Sequence, residues 1–208
     1  MINIIQKNKL IDFFINNQIF SLEKSSSAVP YRIRLSRLCS YPLALRRIAH
    51  LFGDSMKKTF FDIVAGPYTD IPLATTISLE YNWPMIFVRN ERKDYGMERL
   101  VEGNFRSGER VIVVDDEIND AEGALHLIGR LEGSGLIIEG LFVLLDREDG
   151  ALTLIRKRGY RCEALLTLND ILVWLAQSGK IAPIQQKELE QFLKTTSREI
   201  LTPQHVDA

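Results

Sequence analysis

The sequence predicts an α/β fold with a central, mainly parallel sheet flanked by helices. Two observations carry that prediction. Short apolar runs alternate with segments of helical periodicity through the middle of the chain. Such alternation implies right-handed strand–helix–strand units. Polar groups also follow four successive runs: "GPYTD" (66–70), then Arg89, then Asp115 and Asp116, then Asp146 and Arg147. Sheets of this kind bind ligands beyond the carboxyl ends of their strands, so four polar ends on one edge point to a single site.

The elements follow in order. Residues 1–21 are expected to form one amphipathic helix on Ile4, Ile5, Leu10, Ile11, Phe14 and Ile15. They lack the charge-first, apolar-next, small-residue layout of a signal peptide. "EKSSSAVP" is a polar loop, and "YRIRLSRL" (31–38) alternates like a strand. Pro42 is placed to start a helix over "YPLALRRIAHLFGDSMKK". "FFDIVAG" is a buried strand, "IPLATTISLEY" a helix and "WPMIFVRN" a second strand. "ERKDYGMERLVEGNF" (91–105), charged and interrupted by Gly96 and Gly103, reads as a mobile loop. "ERVIVVDDE" is the third strand, and "AEGALHLIGRLEGSG" a helix stopped at Gly133 and Gly135. "IIEGLFVLLDRE" is the fourth strand, "GALTLIRKRG" a helix and "YRCEALLTL" the fifth strand. "LNDILVWLAQSGKI" is a helix capped by Asn169 or Asp170, and the tail from Gln185 a last helix that frays after Pro203.

Composition narrows the function classes. A chain of 208 residues suits one compact domain. Its hydrophobic fraction of 46% and charged fraction of 25% are ordinary for a soluble globular protein. A formal net charge of -1 offers no general attraction to nucleic acid or an anionic membrane. No apolar run is long enough to span a bilayer. Cys39 and Cys162 stand far apart without metal-ligand spacing and are expected to be reduced thiols in a cytosolic protein. There is no Walker loop, nucleophile elbow or zinc spacing. Adjacent carboxylates at a strand end, however, can hold the hydroxyls of a cation-bound sugar diphosphate. The turn after them offers backbone N–H groups and a helix N-terminus to a monophosphate. A long charged loop can close over both.

The segments "FFDIVAGPYTDIPLATTISLEYNWPMIFVRNERKDYGMERLVEG", "VIVVDDEIND" and "LLDRE" together resemble the orotate phosphoribosyltransferases, of the type I phosphoribosyltransferase fold. The likeness runs roughly from Phe20 to Leu175. It implies a small N-terminal hood over residues 1–40, a core over 60–175, and a C-terminal helix and tail over 185–208, all in one domain. It also implies transfer of a phosphoribosyl group from phosphoribosyl diphosphate to orotate, giving orotidine 5′-monophosphate in pyrimidine biosynthesis. Magnesium would accompany the diphosphate, and no residue is assigned as a metal ligand. The expected state is a cytoplasmic homodimer whose mobile loops reach the neighbouring site, with no nucleic-acid or membrane partner. By the same resemblance Asp115 and Asp116 bind the ribose hydroxyls, and Asn119, Asp120, Ala121, Glu122 and Gly123 hold the 5′-phosphate. Tyr68 and Thr69 belong to the diphosphate loop, and Arg89 and Lys93 meet the diphosphate, Lys93 acting from the mobile loop as a catalytic group with the two aspartates. Arg147 faces the orotate carboxylate, and Lys24 matches a hood lysine near the substrate.

The departures from the family pattern cluster where phosphate is handled. After the paired acids the family has a turn of small and hydroxylated residues; this chain has Glu117, Ile118, Asn119, Asp120, Ala121 and Glu122. Asp70 stands where a small residue or glycine is usual, and Arg32 and Arg34 change the hood. A carboxylate about 4 Å from a phosphate charge costs roughly 4 kcal/mol at an effective dielectric near 20. That is about a thousandfold in affinity. Asp120 equally reads as the cap of the helix that follows, which occupies the same donors. Three functions stay open on the sequence: orotate phosphoribosyl transfer; a divergent paralogue with weakened or lost catalysis that binds ligands or regulates; and the same fold acting on another base.

Overall fold

The computed structural model describes residues 3–23, 31–89, 100–118, 120–147, 150–185, 187 and 191. Helix α1 (Ile4–Asn16) starts on a capping box in which the Asn3 side chain accepts from the Gln6 N–H and Gln6 reaches back to the Asn3 N–H. It stops five residues short of the predicted end because Gln18 turns into the left-handed region at φ 53°. The chain then enters β1 (Phe20–Leu22), antiparallel to β2 (Tyr31–Ile33). The strand expected over 31–38 therefore lasts three residues. A 3-10 helix (Leu35–Ser40) replaces the rest, since Leu35 and Leu38, three apart, both bury. Helix α2 (Pro42–Met56) begins at its proline, as expected.

Six further strands make the main sheet: β3 (Ile63–Pro67), β4 (Met85–Val88), β5 (Val101–Glu102), β6 (Arg110–Ile118), β7 (Ile137–Asp146) and β8 (Cys162–Thr167). Their order is β5-β4-β3-β6-β7-β8, parallel throughout except for β5, which runs antiparallel to β4. Strand β5 lies inside the stretch read as loop, a correction; residues 90–99 of that stretch lie outside the described residues.

Strand alternation sends side chains to two cores. Val64, Ile112, Val114, Phe142 and Leu144 face one layer, formed by α1, α2, α3 (Ile71–Tyr81) and α6 (Leu168–Ser178). Ala65, Val111, Val113, Leu141 and Val143 face the other, under α4 (Ala121–Gly133) and α5 (Ala151–Lys157). Both faces of β6 and β7 are covered, which is why they read as unbroken apolar runs. Helix α6 is capped by Thr167, not Asn169 or Asp170; Asp170 closes the box from the third helical position. Residues 183–185 are helical, and the predicted helix from Gln185 lies almost wholly outside the described residues. Among the described residues no helix is long and apolar enough to cross a membrane.

Helices α2 and α3 meet where Gly53 faces Tyr81, whose ring stacks on Trp83 at 4.6 Å and whose hydroxyl donates to the His50 carbonyl at 3.1 Å. A methyl at position 53 would overlap that ring, which is held on two sides. Alanine gains about 1 kcal/mol of helix propensity, but overpacking costs typically 1–3 kcal/mol. Gly53→Ala is expected to lower the thermal unfolding midpoint by a few degrees; an unchanged or raised midpoint would show that Tyr81 moves aside freely.

Candidate active site

The strand order reverses between β3 and β6, because β4 and β5 lie on one side and β7 and β8 on the other. The crevice beyond the carboxyl ends at such a reversal is where α/β sheets bind ligands. Strand β3 runs out through one 3-10 turn (Tyr68–Asp70) straight into α3. The helix closes tightly because Gly66 has no side chain: a Cβ there would stand 3.1 Å from that of Ala74. This tucks Asp70, only 4% exposed, against β6. Pairing of β6 with β3 ends at Val113, and further along β6 the N–H of Asp116 donates to Asp70 Oδ2 at 2.9 Å.

Asp70, Asp115 and Asp116 thereby bring carboxylate oxygens within 4.8 Å of one another. Burial raises the Asp115 pKa well above the ordinary range, and a hydrogen bond and charge repulsion from Asp70 raise it further. Burial, then the charges of Asp70 and Glu117, push Asp116 to about 7. Three carboxylates in this arrangement suit a hard divalent cation, whose ligands are oxygens.

The cluster forms the floor of a cavity of 460 Å³. Leu35, Leu38 and Leu45 supply apolar walls, and Thr69 and Glu117 line it beside the three aspartates. A neighbouring pocket of 310 Å³ lies between the β3 and β4 ends and the first turns of α4, lined by Asp115, Gly123, His126 and Arg130 among others. Asp115 borders both.

The other residues singled out in the sequence are dispersed around this centre. Thr69 lines the larger cavity, while Tyr68, 55% exposed, lies beside the Phe87 ring. Arg89 pairs with Glu102 of β5 at 3.2 Å, and its carbonyl accepts from Arg130 at 2.9 Å. Asp120 caps α4, its Oδ1 accepting from the Gly123 N–H at 2.8 Å, so one amide of the predicted phosphate turn is filled by the chain itself. Ala121 is buried, and Glu122 and Gly123 are exposed. Lys24, Lys93 and Asn119 lie outside the described residues. Arg32 is exposed and pairs with Glu23 at 2.9 Å.

Glu117 ends the predicted third strand and also begins the predicted turn; β6 continues through Ile118, so it belongs to the strand, opposite Leu145 on β7. That register carries it to Arg147, just past β7, with Nη1 to Oε1 at 3.1 Å. The guanidinium lies over the Tyr31 ring of the N-terminal hairpin, 5.9 Å from its centre. Burial would lower the Arg147 pKa, but hydrogen bonding and charge from Tyr31 and Glu117 hold it above its ordinary value. The available signal was the paired ends of β6 and β7, which a sequence reading of the register would have brought together.

No protein-family model matches the chain. It is 33% identical over 174 residues to the orotate phosphoribosyltransferase of Pyrococcus furiosus, covering 82% of this chain and 93% of that relative. It is 36% identical over 177 residues to the bifunctional enzyme PyrF/PyrE of Nostoc sp., covering 85% of this chain and 36% of the relative. The chain thus spans about a third of the length of that relative and of the uridine 5′-monophosphate synthase of Bos taurus, to which it is 31% identical. Among solved structures, the UMP synthase of Leishmania donovani superimposes with a TM-score of 0.79 at 30% identity, covering 91% of this chain and 42% of that one.

The raised carboxyls set a pH dependence. An aspartate in the unfolded chain titrates near 3.9. Asp115 and Asp116 hold protons to higher pH in the fold, Asp116 to about 7. Their stabilising contribution is fully present below about pH 4 and is lost as pH rises through the folded pKa. Urea unfolding should therefore show lower stability at pH 8 than at pH 5, by about 2–4 kcal/mol from Asp116. Asp116→Asn is expected to flatten that slope; an equal slope in the variant would assign it to other groups.

Proposed function

The chain belongs to the orotate phosphoribosyltransferase family, and from this premise we propose that it transfers a phosphoribosyl group from phosphoribosyl diphosphate to orotate. The fold is that of the type I phosphoribosyltransferases. The observation that carries the proposal is the pair Asp115 and Asp116, at the end of a central strand, between an apolar-walled cavity and the N-terminus of α4. In this reading the two carboxylates hold the ribose hydroxyls. The 5′-phosphate lies against the turn from Asn119 to Gly123, where Asp120 must release the Gly123 N–H. Tyr68 and Thr69 border the diphosphate, and Arg89 and Lys93 balance its charge. Arg147 meets the carboxylate of the base, with Lys24 close by.

The chemistry is a displacement at the anomeric carbon. The bond to the diphosphate oxygen breaks with its electron pair on the leaving group, a pyrimidine nitrogen bonds to that carbon, and the proton on that nitrogen is released. Fixed charges aimed at the developing charge act most strongly where water is excluded. Magnesium bound with the diphosphate would neutralise part of the leaving charge, and Asp70, Asp115 and Asp116 are the residues that would hold it. The working form in this proposal is a cytoplasmic homodimer.

An absorbance assay on the purified protein tests the reaction: orotate is consumed only when phosphoribosyl diphosphate and magnesium are both present. No consumption, with no calorimetric heat at millimolar phosphoribosyl diphosphate, would instead favour a chain that keeps the scaffold without the reaction. The double variant Asp120→Thr with Glu122→Gly is expected to bind phosphoribosyl diphosphate about tenfold more tightly, less than the full repulsion because both acids face solvent. Affinity equal to wild type would show that neither acid opposes the phosphate.

A further inference from the structure

We propose that Glu117 is an internal competitor for Arg147, taking the place of the base's carboxylate in the free site and so setting which bases the pocket accepts. The inference rests on the orotate reading of the pocket.

Three observations support it. Glu117 lines the cavity and is also the carboxylate bonded to Arg147, at 3.1 Å. The pair is partly shielded, with the Arg147 and Glu117 side chains 29% and 21% exposed, so the attraction is stronger than at an open surface. Finally, the bond to Glu117 uses a single nitrogen of the guanidinium, Tyr31 also hydrogen-bonds to the side chain, and the buried Nε has no hydrogen-bond partner among the described residues. An arginine fork is shaped to bind a planar carboxylate through two parallel N–H groups. Arg147 is thus charged, steadied over the Tyr31 ring, and incompletely used.

A base carrying a carboxylate must displace Glu117 to engage that fork. The displaced acid then joins a wall that already holds Asp70, Asp115 and Asp116. An uncharged pyrimidine leaves the pair intact. Glu117 therefore weakens binding of the anionic base selectively and narrows the preference for it over a neutral one. It acts through Arg147 and has no role in bond making, which makes it a specificity-determining residue.

Calorimetric titration with orotate and with uracil separates these effects. Glu117→Val and Glu117→Gln are expected to bind orotate about tenfold more tightly than wild type, with uracil affinity changed by less than about twofold. Arg147→Ala should abolish the gain, so that the double variant Glu117→Val with Arg147→Ala binds orotate as weakly as Arg147→Ala alone. Glu117→Gln keeps the side-chain shape, and melting curves verify that each variant folds. The inference is overturned if the Glu117 variants bind orotate no more tightly, or if uracil tightens by the same factor. Phosphoribosyl diphosphate with magnesium is titrated in parallel. If it binds while orotate affinity ignores position 117, the inference falls and the orotate reading stands. If no variant binds either ligand, both fall.

Discussion

The meeting of three carboxyl groups at the crevice between β3 and β6 is the constraint around which the site is organised. Like charges 4–5 Å apart repel by roughly 3–4 kcal/mol per pair at an effective dielectric near 20. The fold answers with the Asp116 N–H on Asp70 and with Asp115 and Asp116 pKa values raised by burial. Each answer depends on backbone placement. The single turn from β3 into α3, the bare Gly66 and the extension of β6 beyond β3 are what hold Asp70 in reach. A loop that swung Asp70 outward would release the repulsion and would also open the floor of the cavity.

Among the described residues, three groups that the proposed function assigns to anions follow one pattern: Arg89, Arg147 and the Gly123 N–H each already hold a carboxylate of the chain. Glu102 is on Arg89, Glu117 on Arg147, and Asp120 on the Gly123 N–H in the first turn of α4. A helix N-terminus or a half-buried arginine left without a partner costs stability, so these pairs keep the ligand-free fold intact. Under the proposed function, ligand binding at such groups is an exchange of one anion for another. The net gain is then the difference between two similar interactions, which lowers affinity and makes the result sensitive to ligand geometry.

The family resemblance held where wording and spacing are local. The paired acids stand at the end of a buried central strand, and α3 matches its predicted span. The misses have physical causes. Gln18 in a left-handed conformation ended α1 early, and periodicity carries no information about a single backbone dihedral. Thr167 took the α6 cap from Asn169 and Asp170 because the strand delivers it in extended conformation, with φ -108° and ψ 159°. Val101 and Glu102 form an edge strand too short to register as a pattern, ordered by pairing with β4. The directions of the turn's acids were not legible in the sequence: Asp120 turns onto its own helix.

The sequence by itself determined the alternation of strands and helices, the buried character of the central strands and the order of the polar strand ends. Those properties follow from residues adjacent in the chain, whose spacing sets which side is buried. Only the tertiary structure decided which charged groups meet. Asp70 and Asp116 are 46 residues apart, and Glu117 and Arg147 are 30 apart. Strand order and register bring those distant positions within hydrogen-bonding distance, and a side chain's electrostatic role depends on the neighbours it is given.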